Sequence, residues 1–148
     1  MLLGVVAFAL LTLPSPAQSL PRRPPTPGPP TATARLRVDL DGSGTADTVL
    51  LYEGKSAVTV AIRFADPARK PQWFHFAVDS RREDAICALP VRLEAEPLDY
   101  DLGAAVGHRV AGFVRSKETS GFRIENGTCD AIHFFWNHDT HRVEWWRL

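Results

Sequence analysis

The sequence predicts a mainly β fold, a compact antiparallel β-sandwich or curled barrel of seven or eight strands with at most one short helix. Three observations carry that expectation. From Thr48 onward, short runs rich in β-branched and aromatic residues are separated by turn-forming residues. Near the C-terminus, Ile132, Phe134 and Trp136 alternate with His133, Phe135 and Asn137, after which Val143 and Trp145 alternate with Arg142, Glu144 and Trp146. The stretch from position 35 to the end, about 114 residues, is long enough for one hydrophobic core and shows no internal repeat.

Ahead of that domain, residues 1–13 are almost wholly apolar and run into Pro14, Pro16 and small residues, the pattern of a secretory signal peptide over 1–19. The apolar run falls short of the roughly 20 residues a spanning helix needs. No cysteine lies near the expected cleavage point, which argues against a lipid anchor. Residues 20–34 are dense in proline, which removes backbone donors and fixes φ, so they predict a disordered, extended linker. The expected product is secreted or periplasmic, and its Ala-, Arg- and Pro-rich composition is of bacterial type.

Within the domain, residues 48–52 and 57–64 read as a hairpin about Gly54, with Val58, Val60, Ile62 and Phe64 on one face. Residues 72–78 predict a strand with Phe74, Phe76 and Val78 on one side and Trp73 and His75 on the other, both sides partly covered. Ser80 to Glu83 has the spacing of a capping box before an apolar run that Pro90 ends, so 81–89 reads equally as helix or strand. Residues 91–95 look extended and lead into an acidic loop with Glu94, Glu96, Asp99 and Asp101 around Pro97 and Tyr100. Further strands are expected over 108–114 and 121–125.

In the last hairpin, only a connection of even length sets Trp136 opposite Val143 and Phe134 opposite Trp145; a one-residue slip would place Arg142 and Glu144 against that apolar face. A two- or four-residue loop is therefore predicted. Asn126-Gly127 suits a tight turn upstream, but a two-residue turn would pair Ile124 with Cys129 in the wrong parity. That conflict implies a bulge or a strand buried on both faces.

Cys87 and Cys129 are the only cysteines, and an exported chain should join them in a disulfide. The closed loop of about forty residues is worth about 4 kcal/mol by chain entropy. Charge is unevenly spread. Four of the 17 basic residues, Arg22, Arg23, Arg35 and Arg37, precede the first acid, Asp39, leaving 13 bases against 17 acids thereafter. That balance, near −4, and the lack of a continuous basic stripe with interleaved aromatics argue against a nucleic-acid partner.

The stretch Asp39-Leu40-Asp41-Gly42-Ser43-Gly44-Thr45-Ala46-Asp47 spaces oxygen-bearing residues two apart and ends on an acid. The side chains of Asp39, Asp41, Ser43 and Asp47, with the carbonyl of Thr45, are expected to enclose a hard cation, Gly42 and Gly44 permitting the turn. The loop resembles those of FG-GAP and VCBS-type repeat proteins and the first nine positions of an EF-hand loop. The resemblance implies calcium. It covers the loop only, and it departs from the pattern in having Ser43 at the fifth position and Leu50 where an EF-hand carries its bidentate Glu. The alternative is a metal-free Asp-Gly turn.

Other clusters have plainer readings. His133, His138, Asp139 and His141 contain zinc-type donors, but their spacing fits a polar hairpin tip. The acidic loop could supply paired carboxylates, and with His108 it defines an alternative reading as a small hydrolase; no Gly-x-Ser-x-Gly, metalloprotease helix or nucleotide loop accompanies it. His133, Phe135, Glu144 and Trp146 fall on the hairpin face opposite the core, a candidate binding surface unless another element covers it. Asn126-Gly127-Thr128 matches a glycosylation acceptor, of consequence only in a glycosylating source. The expected function is binding of a protein or glycan by a calcium-stabilised, disulfide-linked domain.

Overall fold

The alternating runs become two four-stranded antiparallel sheets in the computed structural model, which describes residues 31–127 and 129–148. The expected signal peptide and most of the proline-rich segment lie outside the described residues. Sheet one has the order β1 (Ala34–Val38), β2 (Asp47–Glu53), β3 (Ala57–Arg63) and β4 (Gln72–Ala77). Sheet two has the order β5 (Arg92–Leu98), β6 (Ser116–Glu125), β7 (Ile132–Asn137) and β8 (Arg142–Trp146). The sheets stay separate, so the fold is a sandwich and not a barrel. Backbone pairing begins one residue before β1, where the Thr33 amide donates to the Leu51 carbonyl.

The core fills the space between the sheets. Val49, Leu51, Val58, Val60 and Ile62 from sheet one meet Phe122, Ile124, Ile132, Phe134 and Trp136 from sheet two, all buried. Phe122 and Phe134 stack at 4.4 Å between ring centroids, and Phe74 meets the edge of Phe134 at 5.3 Å. Such ring pairs add to simple area burial. At one open side, the Gln72 side chain accepts from the Val143 amide at 2.8 Å and donates to its carbonyl at 3.2 Å, so a side-chain amide links β4 to the edge strand β8.

The last hairpin has the expected register, Phe134 opposite Trp145 and Trp136 opposite Val143, with residues 138–141 as its four-residue loop. β7 is buried on both faces, and a six-residue connection replaces the two-residue turn, pairing Ile124 with Ile132. The Cys87–Cys129 disulfide forms, with Cα atoms 6.3 Å apart, and fastens the β4–β5 connection to the β6–β7 loop.

Four expectations are corrected. Residues 81–89 form neither helix nor strand beyond a single bridge between Val78 and Ile86. Asp79 accepts from the Arg81 amide at 3.0 Å, and this local turn takes the place of the capping box. The acidic loop is largely strand: β5 continues through Glu96 and Pro97, which an edge strand tolerates. Residues 108–114 are not a strand; they follow a short helix, α1 (Leu102–Val106), capped by Asp101 and ended by Gly107 at φ 78°. The expected cover over Trp73 and His75 is missing among the described residues, and Trp73 is 51% exposed.

Candidate metal centre and an open sheet face

The β1–β2 connection turns because Gly42 and Gly44 take φ of 73° and 82°. Asp39 accepts from the amides of Ser43 at 3.1 Å and Gly44 at 2.8 Å, and Asp41 accepts from the Ser43 amide at 3.0 Å. Asp47, at the start of β2, is buried and accepts from Leu40 and Ala65. The loop thus folds its carboxylates inward, and oxygens of Asp39, Asp41 and Asp47 lie within 4.8 Å of one another. Three convergent carboxylates could hold a metal ion. Ser43 and Thr45 are exposed and bond weakly to each other, Ser43 Oγ lying 3.5 Å from the Thr45 carbonyl oxygen.

Electrostatics agree with a cation-seeking site. Burial pushes the Asp47 carboxyl above its ordinary range, the charges of Asp41 and Asp39 adding to the effect against two backbone donors. Asp41 is also desolvated, but hydrogen bonds from Ser43 and the charge of Arg69 hold it below the ordinary value. Arg69 Nη1 lies 2.6 Å from Asp41 Oδ2. The same guanidinium sits over Trp136 at 4.6 Å and Phe64 at 5.7 Å from the ring centroids. The chain therefore supplies one positive group to the acidic cluster from the β3–β4 loop.

The outer face of sheet two is covered in part, the side chains of Arg92, Glu94 and Arg123 remaining partly in solvent and Phe135, Glu144 and Trp146 lining an open depression of ≈ 520 Å³ beside α1. Leu98, Leu102 and Phe135 form a second small core with Tyr100, Val106, Val110, Phe113 and Trp146, built by α1 and the segment after it. Of the predicted surface, Phe135 is buried, Trp146 is half-buried, and His133 stacks on Trp146 at 4.2 Å while its Nδ1 lies 2.9 Å from Glu96. Glu144 accepts from the Thr140 hydroxyl at 3.0 Å. The Tyr100 hydroxyl donates to the buried Glu96 at 3.3 Å, and burial together with that charge pushes the phenol well above its ordinary pKa.

Of the other acids of the predicted loop, Glu94 pairs with Arg123 at 2.9 Å, Asp101 accepts from the Ala104 amide at 3.0 Å as helix cap, and Asp99 is exposed. Asp101 and His108 line one open depression of ≈ 600 Å³ with Arg109 and Phe113. They share no hydrogen bond, and His108 Nδ1 lies 3.2 Å from the Val106 carbonyl oxygen. His138, Asp139 and His141 stay on the exposed hairpin tip and converge on no metal-capable group among the described residues.

No element among the described residues packs on the outer face of sheet one. Trp73 and Tyr52 lie there with ring centroids 6.4 Å apart and planes at 24°, bordering a groove of ≈ 570 Å³ with Glu53, Thr59, Arg63 and His75. The sequence signal for this site was the outward parity of Trp73 and His75. No helix among the described residues is long and apolar enough to cross a membrane.

Fold and site together define an antiparallel β-sandwich with one disulfide and an acidic loop able to hold a metal ion. Comparison with protein-family models, curated proteins and solved structures finds no match.

Proposed function

We propose that the chain is a secreted or periplasmic binding domain, stabilised by calcium at the β1–β2 loop, that takes a protein or glycan on the outer face of sheet one. The observation that carries this reading is Trp73, a large aromatic half in solvent beside Tyr52, where the aromatic part of the corresponding face of sheet two packs under α1 and the segment after it. Exposed aromatic surface bordered by polar groups marks interaction sites. Calcium suits the loop because its donors are oxygens, the hard ligands that ion prefers. Asp39, Asp41 and Asp47 would hold it, in the manner of the FG-GAP-type loops that the stretch resembles.

Capture of material from an envelope extract tests the binding reading. The domain should retain a partner that Trp73→Ala loses while melting unchanged, and equal retention by both proteins would refute the choice of face. The hydrolase alternative draws on the depression shared by Asp101 and His108, but Asp101 is spent on capping α1. His108→Ala should leave ligand capture intact.

A further inference from the structure

Strand register assembles on the open face a surface that the linear sequence scatters. Arg37 and Arg63 flank Thr48 in one row, Arg35 and Trp73 end the next, and Tyr52 and His75 flank Thr59 in a third. With neighbouring strands about 4.8 Å apart, Arg37 and Arg63 stand roughly 10 Å apart at the backbone. Alternation leaves no Asp or Glu at an outward position on these four strands. Arg35, Arg37 and Arg63 are exposed and form no ion pair among the described residues, whereas Arg81, Arg82, Arg92 and Arg123 each sit on a carboxylate. The face is therefore net cationic on a domain that is otherwise acidic: its three arginines outnumber Glu53, which lines the end of the groove and accepts from the Val91 amide at 2.7 Å.

We propose that this face binds a carboxylate-bearing polysaccharide, with sugar rings stacked on Trp73 and Tyr52 and their carboxylates held by Arg35, Arg37 and Arg63. The proposal rests on the reading of sheet one's outer face as the binding face. A guanidinium matches a carboxylate through two parallel hydrogen bonds, which a neutral sugar cannot reciprocate. Trp73, 51% exposed beside the half-buried Tyr52, offers a flat apolar ring to the C–H face of a pyranose. Thr59 Oγ1 lies 2.9 Å from His75 Nδ1, which leaves the other imidazole nitrogen for a sugar hydroxyl. Nucleic acid fits less well. Its backbone carries one charge per roughly 1.7 Å of duplex, denser than these spaced arginines match, and the acidic remainder of the domain repels it.

Affinity electrophoresis of the mature chain in gels containing polygalacturonate, alginate or hyaluronan tests the proposal. At least one should retard it, with retardation falling as salt rises, and the fully methyl-esterified form of that polymer should bind at least about tenfold more weakly. Trp73→Ala and the double substitution Arg35→Ala, Arg37→Ala should each weaken binding by about tenfold without changing the melting temperature. Arg109→Ala, a basic change off this face, should have no effect. Failure of all three polymers, equal binding of the ester, or tighter binding of an oligothymidylate would overturn the acidic-glycan assignment. If the ester binds equally but Trp73→Ala still abolishes it, the face stands and only the ligand class falls. If Trp73→Ala changes nothing, the underlying choice of face falls too.

Discussion

Replacing Arg69 by Met removes the guanidinium that faces Asp41 while keeping an unbranched apolar side chain over Trp136 and Phe64. The Asp41 side chain is only 7% exposed and that of Arg69 35%, so the pair is half shielded and half wet. A charge-assisted contact of this kind contributes about 1.5 kcal/mol after discounting for solvent, and the guanidinium over two rings roughly 0.5 kcal/mol more. The expected loss is about 2 kcal/mol in chelator, or about 8 °C in melting temperature for a domain of this size. Calcium bound as proposed would return positive charge to the same carboxylates, so the loss should shrink at saturating calcium and the ion should stabilise the variant more than the wild type. Urea unfolding followed by tryptophan emission, with chelator or calcium, measures both. A variant as stable as wild type in chelator would refute Arg69 as the loop's internal counter-ion. An equal loss in both conditions would refute sharing of Asp41 between arginine and metal.

Reduction of the Cys87–Cys129 bridge should lower stability by about 4 kcal/mol, read as a fall in the urea midpoint, and an unchanged midpoint would deny the bridge its structural role. Gln72→Leu strands the buried Val143 amide and should cost about 2 kcal/mol by the same assay; a neutral result would mean the two sheet edges are not joined there. Tyr100 has a folded-state pKa above its unfolded value, so its contribution is full below the ordinary tyrosine range and is lost as pH rises through the folded value. Alkaline difference absorbance should therefore show Tyr100 ionising only as the domain unfolds, and reversible ionisation in the folded state would contradict its burial beside Glu96.

Much of the sandwich was legible because alternation and parity are local signals. The register of β7 and β8 followed from even spacing, and the inward set Val58, Val60 and Ile62 from simple alternation. Asp39, Asp41 and Asp47 converge as their spacing implied, and the Ser43 amide bonds to Asp41 within the same turn. α1 is one turn of mostly small residues, too short to show a helical period, although Asp101 and Gly107 mark its ends. That helix and the segments flanking it bury Phe135 and cover part of Trp146, which the sequence left as a possible surface. The cationic face was illegible for the opposite reason. Arg35 and Arg37 sit beside the proline-rich segment, Arg63 stands alone nearly thirty residues on, and only strand pairing brings them onto one face with Trp73.

The claim that sheet one's outer face is the binding face is tested most directly by comparing ligand retention by wild type, Trp73→Ala and Leu148→Ala. Both positions expose large apolar side chains, Trp73 at 51% and Leu148 at 72%, but only Trp73 lies on that face. Retention should be lost in Trp73→Ala and kept in Leu148→Ala. Retention by Trp73→Ala at the wild-type level would contradict it.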